Sequence, residues 1–105
     1  MAAYAQVTRR TAAEVAARAQ LQIGLCRLEQ GRFDEALTAL LAVPLTYDYP
    51  DLNAPAWCEA ARAYLAKKNP GEAATLLQKV VKDYPKSPWA EVARKRLGEI
   101  KKGTG

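Results

Sequence analysis

Small apolar and charged residues are mixed along this chain at helical spacing, with little of the strict alternation that a half-buried strand requires. The pattern predicts helices over residues 12–30, 33–43, 54–67, 70–84 and 88–101, an all-α fold. Three of the starts are marked by capping chemistry. Thr11-Ala-Ala-Glu14 reads as a capping box, and the helix it opens runs to Gly31, a natural left-handed terminator. Asn69-Pro70-Gly71-Glu72 and Ser87-Pro88-Trp89 each set a capping side chain directly before a proline at the first helical position. Between the second and third helices, Pro44 to Asn53 carries two prolines and is expected to be an extended linker.

The same pattern repeats with a period of 37 residues. Gly24, Ala61 and Gly98 are spaced by that interval, as are Ala19, Ala56 and Ala93, and Ile23, Ala60 and Leu97. It also pairs Leu28 with Leu65, Ala36 with Ala73, Leu40 with Leu77 and Val43 with Val80. One supersecondary unit of two helices therefore recurs about two and a half times. The expected division of this single domain is repeat 1 over 12–47, repeat 2 over 54–84 and a closing helix over 88–101. Shifting back by 37 places Ala3, Gln6 and Val7 under Leu40, Val43 and Pro44, so residues 2–10 read as the stub of a preceding helix. Ala13-Glu14-Val15-Ala16 returns as Ala90 to Ala93, and the chain reads as a fragment of a longer array.

Composition sharpens this by exclusion. Of the 105 residues 21 are alanine, which favours helix, and none is histidine, which removes imidazole bases, nucleophile triads and imidazole metal ligands. Cys26 and Cys58 stand 32 residues apart with no second thiol near either, which fits neither a zinc site nor a redox pair. The acidic residues fall at caps or on expected exposed faces, and Asp48 with Asp51 supplies too few oxygens for calcium. Neither an enzyme nor a cofactor site is expected. The first twenty residues lack the apolar core of a secretory signal, and the apolar run Ala36–Leu45 is far short of the roughly 20 residues that span a bilayer.

At these residues the chain resembles the tetratricopeptide repeat family. In the first unit the likeness rests on Ile23-Gly24 and on Gly31-Arg32-Phe33-Asp34-Glu35-Ala36-Leu37; in the second, on Trp57, Ala61, Tyr64, Ala73 and Pro85. Gln20 and Arg94 stand where the second unit has Trp57, Arg27 stands for Tyr64, and Lys68-Asn69-Pro70 replaces the family's glycine-aromatic turn. Residues 83–98 look most like bacterial envelope repeats such as the Tol-Pal-associated coordinator and the outer-membrane assembly lipoprotein, which hints at the envelope while leaving the compartment open.

The resemblance implies a right-handed α-solenoid in which the first helix of each pair lines a concave groove, with Leu21, Leu25, Cys58, Arg62, Lys95 and Glu99 facing it. Such a groove suits a peptide or helix of a protein partner, with an acidic group reaching Arg62 and Lys95. Leu21 and Leu25 have an alternative use, packing against a preceding repeat. A chaperone-tail clamp is not expected, because Leu21, Leu25 and Glu59 hold the places of its Lys and Asn residues.

Charge adds a second candidate surface. The entire +5 excess lies beyond residue 78, in Lys79, Lys82, Lys86, Arg94, Lys95, Arg96, Lys101 and Lys102. As a binding patch it would attract nucleic acid or an anionic membrane; as a solvated last helix it simply complements the helix dipole, and this plainer reading is preferred. Tyr47 and Tyr49 are expected to cover the gap between helix pairs, and Cys58 to be a packed thiol unless Arg62 activates it. Self-association through uncovered repeat ends, or a purely structural spacer, are the remaining alternatives.

Overall fold

The side chains read as caps do open the helices. Thr11 Oγ1 accepts from the Glu14 amide at 3.1 Å, Asn69 Oδ1 from the Glu72 amide at 3.5 Å, and Ser87 Oγ from the Trp89 amide at 3.1 Å. Each satisfies a donor that a helix start leaves without a partner. The computed structural model describes residues 11–104, and in it five α-helices follow one another: α1 (Ala12–Glu29), α2 (Phe33–Ala42), α3 (Pro50–Ala66), α4 (Pro70–Asp83) and α5 (Pro88–Thr104). There is no strand among the described residues, and the architecture is an all-α solenoid of helix pairs. The reading of residues 2–10 as a helix stub lies outside the described residues.

The two complete pairs turn in the same way, 37 residues apart. After α1, Gly31 takes a left-handed φ of 77°, with its amide on the Leu28 carbonyl and the next amide on that of Arg27. After α3, Lys68 takes φ 62° and repeats both bonds, to Leu65 and from Asn69 to Tyr64. A side chain in that conformation costs about 1 kcal/mol, and Lys68 bears a cost that Gly31 avoids.

The segment expected to be an extended linker is mostly helical. Val43–Tyr47 continues α2 as a π-helical turn, Asp48 reverses the chain at φ 57°, and α3 already begins at Pro50. Pro44 stands in the first turn of the π-helical stretch and Pro50 in the first turn of α3, where a missing N–H costs nothing. Pro55, inside α3, forfeits one bond, to the carbonyl of exposed Asp51. Asn53, almost fully buried, fastens the reversal by donating from Nδ2 to Asp48 Oδ1 at 2.8 Å and to Tyr84 Oη at 3.1 Å. Tyr47 and Tyr49 pack against the core as expected, and the Tyr49 and Thr11 hydroxyls meet at 3.0 Å.

Helix α3 is the spine. Its Ala56, Ala60 and Ala63 join Leu28, Leu40 and Val43 in one apolar cluster, while its Trp57, Cys58 and Ala61 join Leu77, Val80 and Ala93 in a second. Alanine lets helices approach closely, and at Gly24 even a methyl group would not fit: a Cβ there would lie 2.4 Å from Leu40 Cγ. Helices α1, α3 and α5 touch one another in a row, whereas α2 and α4 pack only through the elements between them. The first helices thus form the tight inner row and the second helices the open outer one.

Candidate interaction surface

The inner row positions the residues expected to line the groove, but not all of them reach its surface. Leu21 is buried in the cluster between α1, α2 and α3, and Leu25 packs half-buried against it. Both leucines serve the core of the first pair rather than an open groove. Cys58 is also fully buried, its Sγ 3.7 Å from the Trp89 carbonyl. Arg62, Lys95 and Glu99 remain exposed. The apolar residues expected to line the groove are therefore taken up by packing, and the charged ones stay in solvent.

A carboxylate organises that end. Glu59, read as an exposed acid, is only 8% exposed and sits between two guanidinium groups: Arg62 Nη1 lies 2.8 Å from its Oε2, and Arg96 Nη1 lies 3.4 Å from its Oε1. Arg96 also donates to the Cys58 carbonyl at 3.1 Å. A buried carboxylate needs such partners, because an unpaired charge in the interior is far more costly than a paired one. Sequence reasoning missed this pair, although a signal was present: Glu59 and Arg96 are 37 residues apart, so opposite charges occupy one repeat position on neighbouring first helices. Arg62 keeps almost half of its side chain in solvent beside the network.

The same neighbourhood answers the question of a reactive thiol. Burial pushes the Cys58 pKa up from 9.0 to about 11; the Arg96 charge opposes the rise, and Glu59 adds to it. Arg62, one turn along, does not activate it, and the thiol is held protonated near neutral pH.

The basic residues divide rather than converge. Arg96 is drawn inward, Lys79 pairs with Asp83 at 3.1 Å and lies 5.5 Å from the Trp57 ring centroid, and Arg94 pairs with Glu91 at 3.6 Å. Lys82 and Lys86 are exposed on and after α4, and Lys95, Lys101 and Lys102 on α5. Trp89 and Tyr84, with Pro85 and Pro88, line an open cleft of about 520 Å³ at the turn between α4 and α5, beside Pro50. No group of three potential metal ligands occurs among the described residues, and no described helix is long and apolar enough to cross a membrane.

Stacked helix pairs with a tight inner row define a helical-repeat scaffold. Two tetratricopeptide repeat models match the chain, over residues 2–51 and 59–87, together about three quarters of it. The chain belongs to the tetratricopeptide repeat family, whose repeats generally mediate protein–protein interaction and are typically non-catalytic. No curated protein and no solved structure matches it significantly.

Proposed function

We propose that the chain is a non-catalytic interaction module that holds an acidic peptide or helix of a protein partner along α3 and α5. In this reading residues 12–47 and 54–84 are the two repeats and 88–101 is the closing helix. The observation that carries the proposal is the half-exposed Arg62: Glu59 is already shared with Arg96, so Arg62 can turn to an incoming carboxylate without leaving a buried charge unpaired. Lys95 is exposed one helix further along the same inner row. The nucleic-acid or anionic-membrane alternative is weakened by the inward turn of Arg96 and the pairing of Lys79 and Arg94. The likeness of residues 83–98 to bacterial envelope repeats supports seeking the partner first among envelope proteins.

The test is selection of peptides from a random display library on the full chain, followed by affinity measurement by fluorescence anisotropy. Selected peptides are expected to carry Asp or Glu and to lose roughly tenfold in affinity to the double variant Arg62→Glu/Lys95→Glu. An unchanged thermal melt would show that the variant remains folded. Peptides that bind wild type and variant equally would place the binding surface elsewhere.

A further inference from the structure

A second cleft, of about 310 Å³, opens between the continuation of α2 and the end of α4. Leu45 lines it from the π-helical turn, Lys79, Asp83 and Tyr84 from the end of α4, and Asp48, Asn53 and Trp57 from the reversal and α3. Asn53 is 1% exposed, and its hydrogen bonding is one-sided. Both hydrogens of its amide are spent, on Asp48 Oδ1 and on Tyr84 Oη, while its own Oδ1 has no partner among the described residues. Turning the amide over would not help, because Oδ1 would then face the Asp48 carboxylate. A buried acceptor left in this way is costly, and a donor brought to it is correspondingly favourable.

The charges around Asn53 indicate which donor. Asp48 and Asp83 bring two carboxylates to the cleft and Lys79 one ammonium, so within a chain of net charge +5 this place is short of one cation. Lys79 shows that a cation fits here. Its Nζ lies 3.1 Å from Asp83 Oδ2 and 5.5 Å from the Trp57 ring centroid, yet nearly half of its side chain is in solvent. Asp48 is held by the neutral Asn53 amide and by no cation among the described residues.

We propose that this cleft receives an arginine side chain of a protein partner, its guanidinium set against Asp48, Asn53 Oδ1 and Tyr84. These acceptors converge, since Asp48 Oδ1 lies 2.8 Å and Tyr84 Oη 3.1 Å from one atom, Asn53 Nδ2. A planar fork of N–H donors serves several converging acceptors at once, which the compact ammonium of lysine does less well. Leu45, which also lines the cleft, is 73% exposed, the most of any large apolar residue described, and it suits an apolar residue beside the arginine. Neither Arg62 nor Lys95 lines this cleft, so this proposal and the inner-row reading stand or fall separately.

The test titrates acetyl-leucyl-arginine amide into the isotope-labelled full chain, with acetyl-leucyl-citrulline amide as its neutral isostere, and follows the Asn53 side-chain amide by NMR. The arginine peptide is expected to move that resonance and to bind about tenfold more tightly than the citrulline peptide. Asp48→Asn keeps an oxygen for Asn53 Nδ2 and tolerates the left-handed φ of 57°, so it should keep its thermal melt and lose the preference for arginine. Lys79→Gln removes the competing cation and should tighten arginine binding about threefold. Equal binding of the two peptides, as an apolar contact alone would give, would overturn the proposal. So would arginine binding that leaves the Asn53 resonance unmoved, a preference that survives Asp48→Asn, or no tightening in Lys79→Gln.

Discussion

Helices α1 and α5 occupy the same place in the repeat but leave opposite sides bare. α1 buries its inward side so closely that Gly24 meets Leu40, and shows solvent Val15, Ala19 and Ile23. α5 buries the positions equivalent to those three, while at Gly98 nothing lies within 4 Å of an added Cβ. Its open side carries Arg94, Lys95, Lys101 and Lys102. A first helix in this fold has two sides to satisfy, and among the described residues α3 has both covered. The open side of α1 is apolar and that of α5 is charged.

Substitutions at equivalent positions can break the comparison. The largest effect is expected at Gly24→Ala, which should lose about 2 kcal/mol in urea denaturation, because the overpacking against Leu40 outweighs the better helix propensity of alanine. A double-mutant cycle with Leu40→Ala should show strong coupling; additive losses would mean that the close approach is not what Gly24 is there for. Gly98→Ala, the same change one end over, should instead gain about 0.5–1 kcal/mol, since only propensity is at stake. A loss there would show that the open side of α5 is covered in solution.

The smallest effect near neutral pH belongs to the helix that satisfies both sides. Cys58 has its pKa raised by burial, so below pH 9 both folded and unfolded chains keep the proton and stability is unaffected. Between pH 9 and about 11 the unfolded chain releases the proton first, and stability should fall as pH rises. Comparing denaturation midpoints of wild type and Cys58→Ala across this range isolates the contribution; parallel curves would refute it.

Much of the fold was legible because the caps and the period are local or repeated signals. Thr11, Asn69, Ser87 and Gly31 each act within a few residues of themselves, and the 37-residue interval fixes which helix faces correspond. The segment from Pro44 to Asn53 reads as a linker in sequence, but neither proline ends a helix there: Pro44 stands at the first turn of the π-helical continuation and Pro50 at the first turn of α3, and the reversal between them is fastened by Asn53 through Asp48 and Tyr84. The surface was less legible for a related reason. Whether Leu21 or Cys58 reaches a groove depends on how deeply neighbouring helices bury it, a tertiary quantity that no spacing within one helix reports. Glu59 and Arg96 show that the period could have been used further, by comparing charge as well as size.

The difference between the two rows has a mechanical consequence. With α1, α3 and α5 in direct contact and α2 and α4 separated, bending the stack outward or inward would pivot on the inner row and change mainly the spacing of the outer one. The inner row then behaves as the backing of a hinge, nearly constant in length. A partner seated along it keeps its spacing as the module flexes, whereas anything wedged between α2 and α4 would fix the curvature.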